Sequence, residues 1–157
     1  MSTWLNISVA EGSSSRVTRK GCYTFHDVDG SWDEANDACR GMMAHLVTME
    51  TTAEWNKVKG YLAEKVKESG SYTHYFIGLR KEGGMWKWMG AGAPGATVAT
   101  GDSRWQTLEP SRTFSENCAE INSFYRNQRG HFNNVECNRN YRKTLTAARR
   151  GYICEDF

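Results

Sequence analysis

The chain carries five cysteines spread along its 157 residues, namely Cys22, Cys39, Cys118, Cys137 and Cys154. They form no CxxC pair and have no histidine at zinc-finger spacing, which argues against a zinc site. Widely spaced cysteines in a domain of modest size favour structural disulfides and an oxidising compartment. We therefore expect an extracellular protein. We also expect one domain, because a chain of this length suits a single domain with its own core. The sequon at Asn6, a predicted glycosylation site, agrees with that compartment.

Composition and charge exclude several classes of protein. The chain has no run of about eighteen apolar residues, so we predict no membrane span. The net charge of +2 forces no partner, although the basic residues concentrated in the segment 112–150 predict one cationic end. The histidines are scattered and none neighbours a convincing nucleophile and acid, so we predict no enzyme. An extracellular, oxidised domain also argues against nucleic acid as a partner.

Two helices follow from local patterns in the first half of the chain. Residues 1–20 are polar without a clear period, and we interpret them as a flexible linker or tail. Ser31 and Glu34 fit a capping box that begins a short amphipathic helix. Thr51 and Glu54 fit a second one. The apolar stripe of this second helix predicts a buried face, and its lysines and glutamates are expected to be solvated.

The second half of the chain reads as strands and loops. Residues 75–79 are dense in aromatic and branched side chains, as expected of a buried strand. Gly83 and Gly84 turn the chain into residues 85–88, where alternation places two tryptophans on one face. The stretch 90–117 has little periodicity, and loops of this length are often functional. Further strands are expected at 118–122, 133–137 and 150–155, in addition to an earlier one at 22–28.

Oxygen-bearing side chains cluster in the stretch 105–137. A Glu-Pro-Ser turn at residues 109–111 is followed by Glu116, just before Cys118, and by Asn133 and Asn134, just before Cys137. If these two cysteines bond, the carboxylates, amides and hydroxyl are drawn onto one patch. Such a set of hard oxygen ligands suits Ca²⁺, which tolerates irregular geometry.

In this order, the two helices, the strand pair, the long loop and the closing Tyr152–Glu155 strand resemble the C-type lectin-like domain. Residues 76–79 and 86–88 are similar to two characteristic strand motifs of that family. The resemblance covers residues 22–157 and places the domain at 21–157. It implies an α+β fold with two helices flanking small antiparallel sheets, a long loop region and disulfides Cys39–Cys154 and Cys118–Cys137. Cys22 is then left over, and is free, paired with a segment outside this chain, or linked to a second chain.

In sugar-binding members of that family one Ca²⁺ is held by residues that match, in this chain, Glu109, Ser111, Glu116, Asn133 and Asn134. The turn proline, here Pro110, is cis in the family. The chain departs from the family pattern at Ser111, at Asn134 and at Phe132, which stand for asparagine, aspartate and tryptophan. Because Ca²⁺ affinity follows ligand charge and site rigidity, we expect a weakened site or none.

The resemblance thus implies a recognition domain that binds carbohydrate with a weakened Ca²⁺ site. An alternative is a Ca²⁺-independent receptor domain for a cell-surface or extracellular protein. It would use the basic, aromatic loops 123–131 and 138–149, with Arg126, Arg142 and Lys143 as contact residues. A third interpretation of these loops is a solvated basic surface.

Overall fold

A computed structural model describes residues 17–68, 74–90, 95–123, 126–138 and 150–157. Within these residues the helices are α1 (Trp32–Gly41) and α2 (Thr52–Lys65). The strands are β1 (Val17–Lys20), β2 (Tyr23–His26), β3 (Ala44–Leu46), β4 (His74–Glu82), β5 (Met85–Trp88), β6 (Thr97–Val98), β7 (Cys118–Asn122), β8 (Phe132–Val135) and β9 (Arg150–Asp156). A short 3-10 helix covers Arg126–Gln128.

Both helices begin at the predicted capping boxes. The Ser31 hydroxyl accepts a hydrogen bond from the Glu34 amide, and the Glu34 carboxylate accepts one from the Ser31 amide. Thr51 and Glu54 form the same reciprocal pair. These boxes satisfy amides that the first turn of a helix leaves unpaired. The prediction of both helix starts is therefore confirmed.

The polar face of α2 departs from the prediction. Lys65 was expected in solvent, but its side chain is only 1% exposed, and its Nζ lies 3.3 Å from Asp27 Oδ2. The same Nζ donates to the Thr18 hydroxyl at 3.2 Å. Thr18 belongs to β1, which pairs with β2, so the assignment of residues 17–20 to a flexible tail is wrong. The expectation of a solvated Lys65 is also wrong, because β1 lies beside the end of α2 and was not predicted as a strand.

The described strands form one mixed sheet, and the α+β class is confirmed. Along its main path the order is β1-β2-β9-β4-β5-β6, with β3 beside β9 and with β7 between β4 and β8. Neighbouring strands are antiparallel except β4 and β9, which run parallel and join the antiparallel groups into one sheet. The site described below lies where β7 and β8 pair.

Aromatic side chains fill the core between the sheet and the long loop. Gly83 and Gly84 have φ values of 60° and 82°, so they form the turn into β5 that the sequence predicts. Phe132 is fully buried and packs edge-on against Trp88 and Trp105. Trp105 forms an isolated bridge with Phe132, which fixes the middle of the long loop to β8.

Two disulfides link elements of the fold. Cys39–Cys154 links α1 to β9, and Cys118–Cys137 links the start of β7 to the residues that follow β8. Both pairings implied by the resemblance are confirmed. Cys22 is free and exposed. In the part of the chain that the structure describes, no helix combines the length and apolar character needed to span a bilayer.

Candidate functional site

The candidate site is a loop of residues 109–116, here called the 109–116 loop, and the strand β8 beside it. The chain reaches this loop through backbone hydrogen bonds from Gln106 N to Phe132 O and from Phe132 N to Arg104 O. The Glu109 amide then donates to Gln106 O at 2.9 Å, which closes a turn. The Glu109–Pro110 peptide bond is cis, as the resemblance implies. The loop is thereby fixed to β8 at its beginning, and two residues after its end the chain enters β7 at the disulfide-bonded Cys118.

Asn134 joins the middle of the 109–116 loop to β8. Its Oδ1 accepts a hydrogen bond from the Ser111 amide at 2.8 Å. Its Nδ2 faces three oxygens, namely Ser111 O at 3.0 Å, Ser111 Oγ at 3.1 Å and Glu116 O at 3.2 Å. The residue is 2% exposed. Both ends of its amide are therefore used inside the protein.

The Ser111 hydroxyl connects the two ends of the loop. It donates to Glu116 Oε1 at 2.6 Å and accepts from the Thr113 amide at 3.3 Å, in addition to its contact with Asn134. A hydroxyl offers one donor and two acceptor lone pairs. Ser111 uses all three, so this side chain supports the loop from within.

Glu109 and Glu116 supply the carboxylates of the site, and both are half-buried. Burial raises the pKa of Glu109, the hydrogen bond to the Ser111 backbone opposes that shift, and the negative charges of Glu116 and Glu120 add to it. Glu109 Oε1 is buried and has no hydrogen-bond partner among the residues that the structure describes. A hydrogen-bond donor or a cation close to this carboxylate would stabilise its ionised form.

Asn133 is held by a buried cluster that the sequence analysis did not identify. Its Nδ2 donates to Glu120 Oε2 at 3.0 Å, across the β7–β8 pair in which these two residues are partners. Glu120 is 1% exposed and also accepts from Arg150 Nε of β9, while His74 Nδ1 lies 3.5 Å away. The available signal was a glutamate in the middle of a strand that is otherwise expected to be buried.

The five predicted ligands are only partly brought together. Hydrogen bonds join Ser111, Glu116 and Asn134. Glu109 is linked to this group through the charge of Glu116, which adds to the rise in its pKa that burial causes. The Asn133 amide bonds to Glu120 instead. The predicted contacts Arg142 and Lys143 and the sequon at Asn6 lie outside the described residues, as does the side chain of Arg126.

These side chains do not fit a Ca²⁺ shell in this arrangement. Asn134 turns its nitrogen, which is a hydrogen-bond donor, toward the loop oxygens, and such a nitrogen does not ligate Ca²⁺. Ser111 is already committed to internal hydrogen bonds. Glu109, Glu116 and Asn133 remain for an ion that takes about six to eight oxygen ligands. Among the described residues, no three His, Cys, Asp or Glu side chains are arranged to hold a metal.

Comparisons with known proteins agree on one family. A family model described as the lectin C-type domain matches residues 28–145. The human C-type lectin domain family 17, member A is 32% identical over 135 residues, which are 85% of this chain and 30% of that protein. The chain therefore spans less than a third of the length of this relative.

Solved structures give the same fold. The tunicate lectin TC14 of Polyandrocarpa misakiensis superposes with a TM-score of 0.62 at 24% identity, covering 86% of this chain and 96% of that one. The C-type lectin domain of murine dendritic cell inhibitory receptor 2, solved in complex with an N-glycan, superposes with a TM-score of 0.59 at 22% identity and covers 88% and 93%. At these identities the likeness establishes the fold.

Proposed function

Since the chain belongs to the C-type lectin domain family, we propose that it is an extracellular recognition domain that binds carbohydrate through the 109–116 loop and β8. Domains of this family bind carbohydrates or proteins and are not enzymes, so the prediction of recognition rather than catalysis is confirmed on that ground. A structural relative is solved with an N-glycan, which supports a glycan as the ligand class.

The observation that carries the proposal is the pair of half-buried carboxylates, Glu109 and Glu116, on one loop that Asn134 and Ser111 hold in place. Neighbouring hydroxyls of a sugar can each donate a hydrogen bond to such a pair. Hydrogen bonds to ionised acceptors are about twice as strong as those between neutral groups. Ser111 and Asn134 act in this proposal as supports of the loop, and Asn133 is an additional contact oriented by Glu120.

Domains of this family typically bind Ca²⁺. In this chain Glu109, Glu116 and Asn133 are the groups left to bind it, because Ser111 and Asn134 are engaged with each other. Sugar contacts in our proposal therefore come from the side chains themselves, and no contact is assigned to a metal ion.

Retention on an array of immobilised glycans tests the proposal. Glu109→Gln and Glu116→Gln keep the shape of each side chain and remove its charge. Each should weaken retention about 10-fold or more, since a hydrogen bond to a charged group contributes about 1.5–3 kcal/mol. Glu82→Gln is a matched control, because Glu82 is half-exposed at the β4–β5 turn. A wild-type protein that retains no glycan, or two variants that retain it unchanged, would contradict the proposal.

A second candidate function is Ca²⁺-independent binding of an extracellular or cell-surface protein. Leu108, just before the 109–116 loop, and Phe114, within it, favour this function because they are 93% and 95% exposed. A contiguous exposed apolar patch marks a protein contact, and we propose that Leu108 and Phe114 contribute to such a patch. Arg126, Arg142 and Lys143 are proposed as the basic part of that surface.

Staining of cells before and after enzymatic removal of surface glycans separates the two functions. Staining that survives deglycosylation and is lost in Phe114→Ala supports protein binding. Staining that disappears with the glycans supports carbohydrate binding.

Cys22, exposed and free, is proposed as the link of a disulfide dimer. A monomer on a non-reducing gel of oxidised protein would reject that link.

A further inference from the structure

We propose that the side-chain amide of Asn134 takes the place of a cation in organising the 109–116 loop, so that the loop keeps its shape without Ca²⁺. Oxygens of Ser111 and Glu116 converge on one nitrogen at 3.0–3.2 Å. A cation between the same groups would be held by the same lone pairs. The inference relies on the proposed function only in treating this loop as the surface that contacts the ligand.

The direction of the Asn134 amide is fixed by its surroundings. Its Oδ1 receives the Ser111 backbone N–H at 2.8 Å, and a backbone N–H can only donate. Turning the amide over would place its NH₂ group against that N–H. It would also place its carbonyl oxygen against the oxygens of Ser111 and Glu116. The hydrogen-bond network therefore assigns the nitrogen to the side of the loop oxygens.

An aspartate at this position would behave differently. One carboxylate oxygen could still accept from the Ser111 amide, but the other would face two backbone carbonyl oxygens, Ser111 O and Glu116 O. Its charge would be nearly fully buried, and the Ser111 hydroxyl that it contacts also bonds to the Glu116 carboxylate. Buried like charges oppose each other unless a cation or proton is added. Ca²⁺ would supply that cation and would find oxygen ligands already converging.

Thermal melts of wild type and Asn134→Asp test this inference. Melts are recorded in a chelator, in about 5 mM Ca²⁺ and in about 5 mM Mg²⁺, above the roughly millimolar constants of weak extracellular Ca²⁺ sites. Wild-type midpoints should agree in all three. Asn134→Asp should melt roughly 4–10 °C lower in chelator and recover part of that loss in Ca²⁺ but not in Mg²⁺. Asn56→Asp, exposed on α2, adds the same charge and should melt like wild type.

Two results would overturn the inference. The first is a wild-type midpoint that rises in Ca²⁺ as much as that of Asn134→Asp. The second is an Asn134→Asp variant that melts with wild type in chelator. If the variant does not fold, amide exchange of the wild type decides. The Ser111 N–H should be protected equally in chelator and in Ca²⁺, and rapid exchange that Ca²⁺ slows would refute the inference.

Failure of this inference is distinguishable from failure of the proposed function. Superimposed wild-type melts with no glycan retained would reject carbohydrate binding and support the role of Asn134. Glycan retention that requires Ca²⁺, together with Ca²⁺-dependent protection of Ser111, would reject the role of Asn134 and support carbohydrate binding.

Discussion

Glu120 connects Asn133 in β8, a proposed sugar contact, to Arg150 in the closing strand β9. The variant Glu120→Gln tests whether this connection stabilises the fold and supports glycan retention. The carboxylate accepts hydrogen bonds from both neighbours, and it is 1% exposed. Glutamine has almost the same shape, but one end of its side chain is a donor. It therefore cannot accept from Arg150 and Asn133 at the same time, and the charge that opposes Arg150 is lost.

The size of the effect follows from burial. Removing one partner of a buried ion pair costs about 3–5 kcal/mol. The low end applies here, because Arg150 also lies over the ring of Phe76 at 5.3 Å and keeps that contact. A loss of about 3 kcal/mol in the free energy of unfolding lowers the melting midpoint by roughly 6–12 °C in a domain of this size. Glycan retention should also fall, because Asn133 loses the group that orients it.

Urea denaturation followed by tryptophan fluorescence measures the change. Glu82→Gln is the control, because its ion pair with Arg80 is partly exposed and is expected to be worth less than about 1 kcal/mol. In a double-mutant cycle with Arg150→Met, the double variant should lose less than the sum of the single changes. A Glu120→Gln protein within about 1 kcal/mol of wild type would refute the reasoning, as would strict additivity in the cycle.

Two further predictions concern buried polar groups in or next to the strands β2 and β4. Asp27→Asn should lower the free energy of unfolding by about 3 kcal/mol, because it removes the carboxylate beside buried Lys65. Tyr75→Phe, which removes only the hydroxyl donating to Asp27 at 2.8 Å, should cost about 1 kcal/mol, and equal losses for the two variants in urea melts would contradict this. Burial, together with the charge of Arg19, lowers the pKa of His26 to about 4, so its contribution to stability is present above its ordinary pKa of 6.5 and is lost as the pH falls toward 4. That contribution is on the order of 3 kcal/mol. His26→Gln should therefore flatten this part of the curve of unfolding free energy against pH. Parallel curves for the variant and the wild type would contradict the prediction.

Features that depend on neighbouring residues in the sequence were predictable. The capping boxes at Ser31 and Thr51 satisfy the first turn of their own helices, and the turn at Gly83 and Gly84 requires positive φ at both positions. The disulfides followed from family resemblance rather than from spacing, because cysteine positions alone do not determine their pairing. In each of these cases the information lies in a short pattern or in a shared motif order.

Features that depend on distant residues were not predictable. Lys65 is buried because β1, some 45 residues earlier, pairs with β2 and brings Thr18 to its Nζ at 3.2 Å. Glu120 joins the site through strand register with Asn133 and through Arg150, 30 residues later. The sequence placed Asn134 in the site, but the direction of its amide depends on the backbone of Ser111, 23 residues away. Only the folded geometry distinguishes a metal ligand from an internal donor there.

The most direct test of the account is glycan retention by the wild-type protein in a chelator and in about 5 mM Ca²⁺. This concentration lies above the dissociation constants of weak extracellular Ca²⁺ sites. Carbohydrate binding by a loop that Asn134 organises predicts that the same glycans are retained to the same extent in both conditions. Retention that appears only with Ca²⁺, or no retention in either condition, would contradict it.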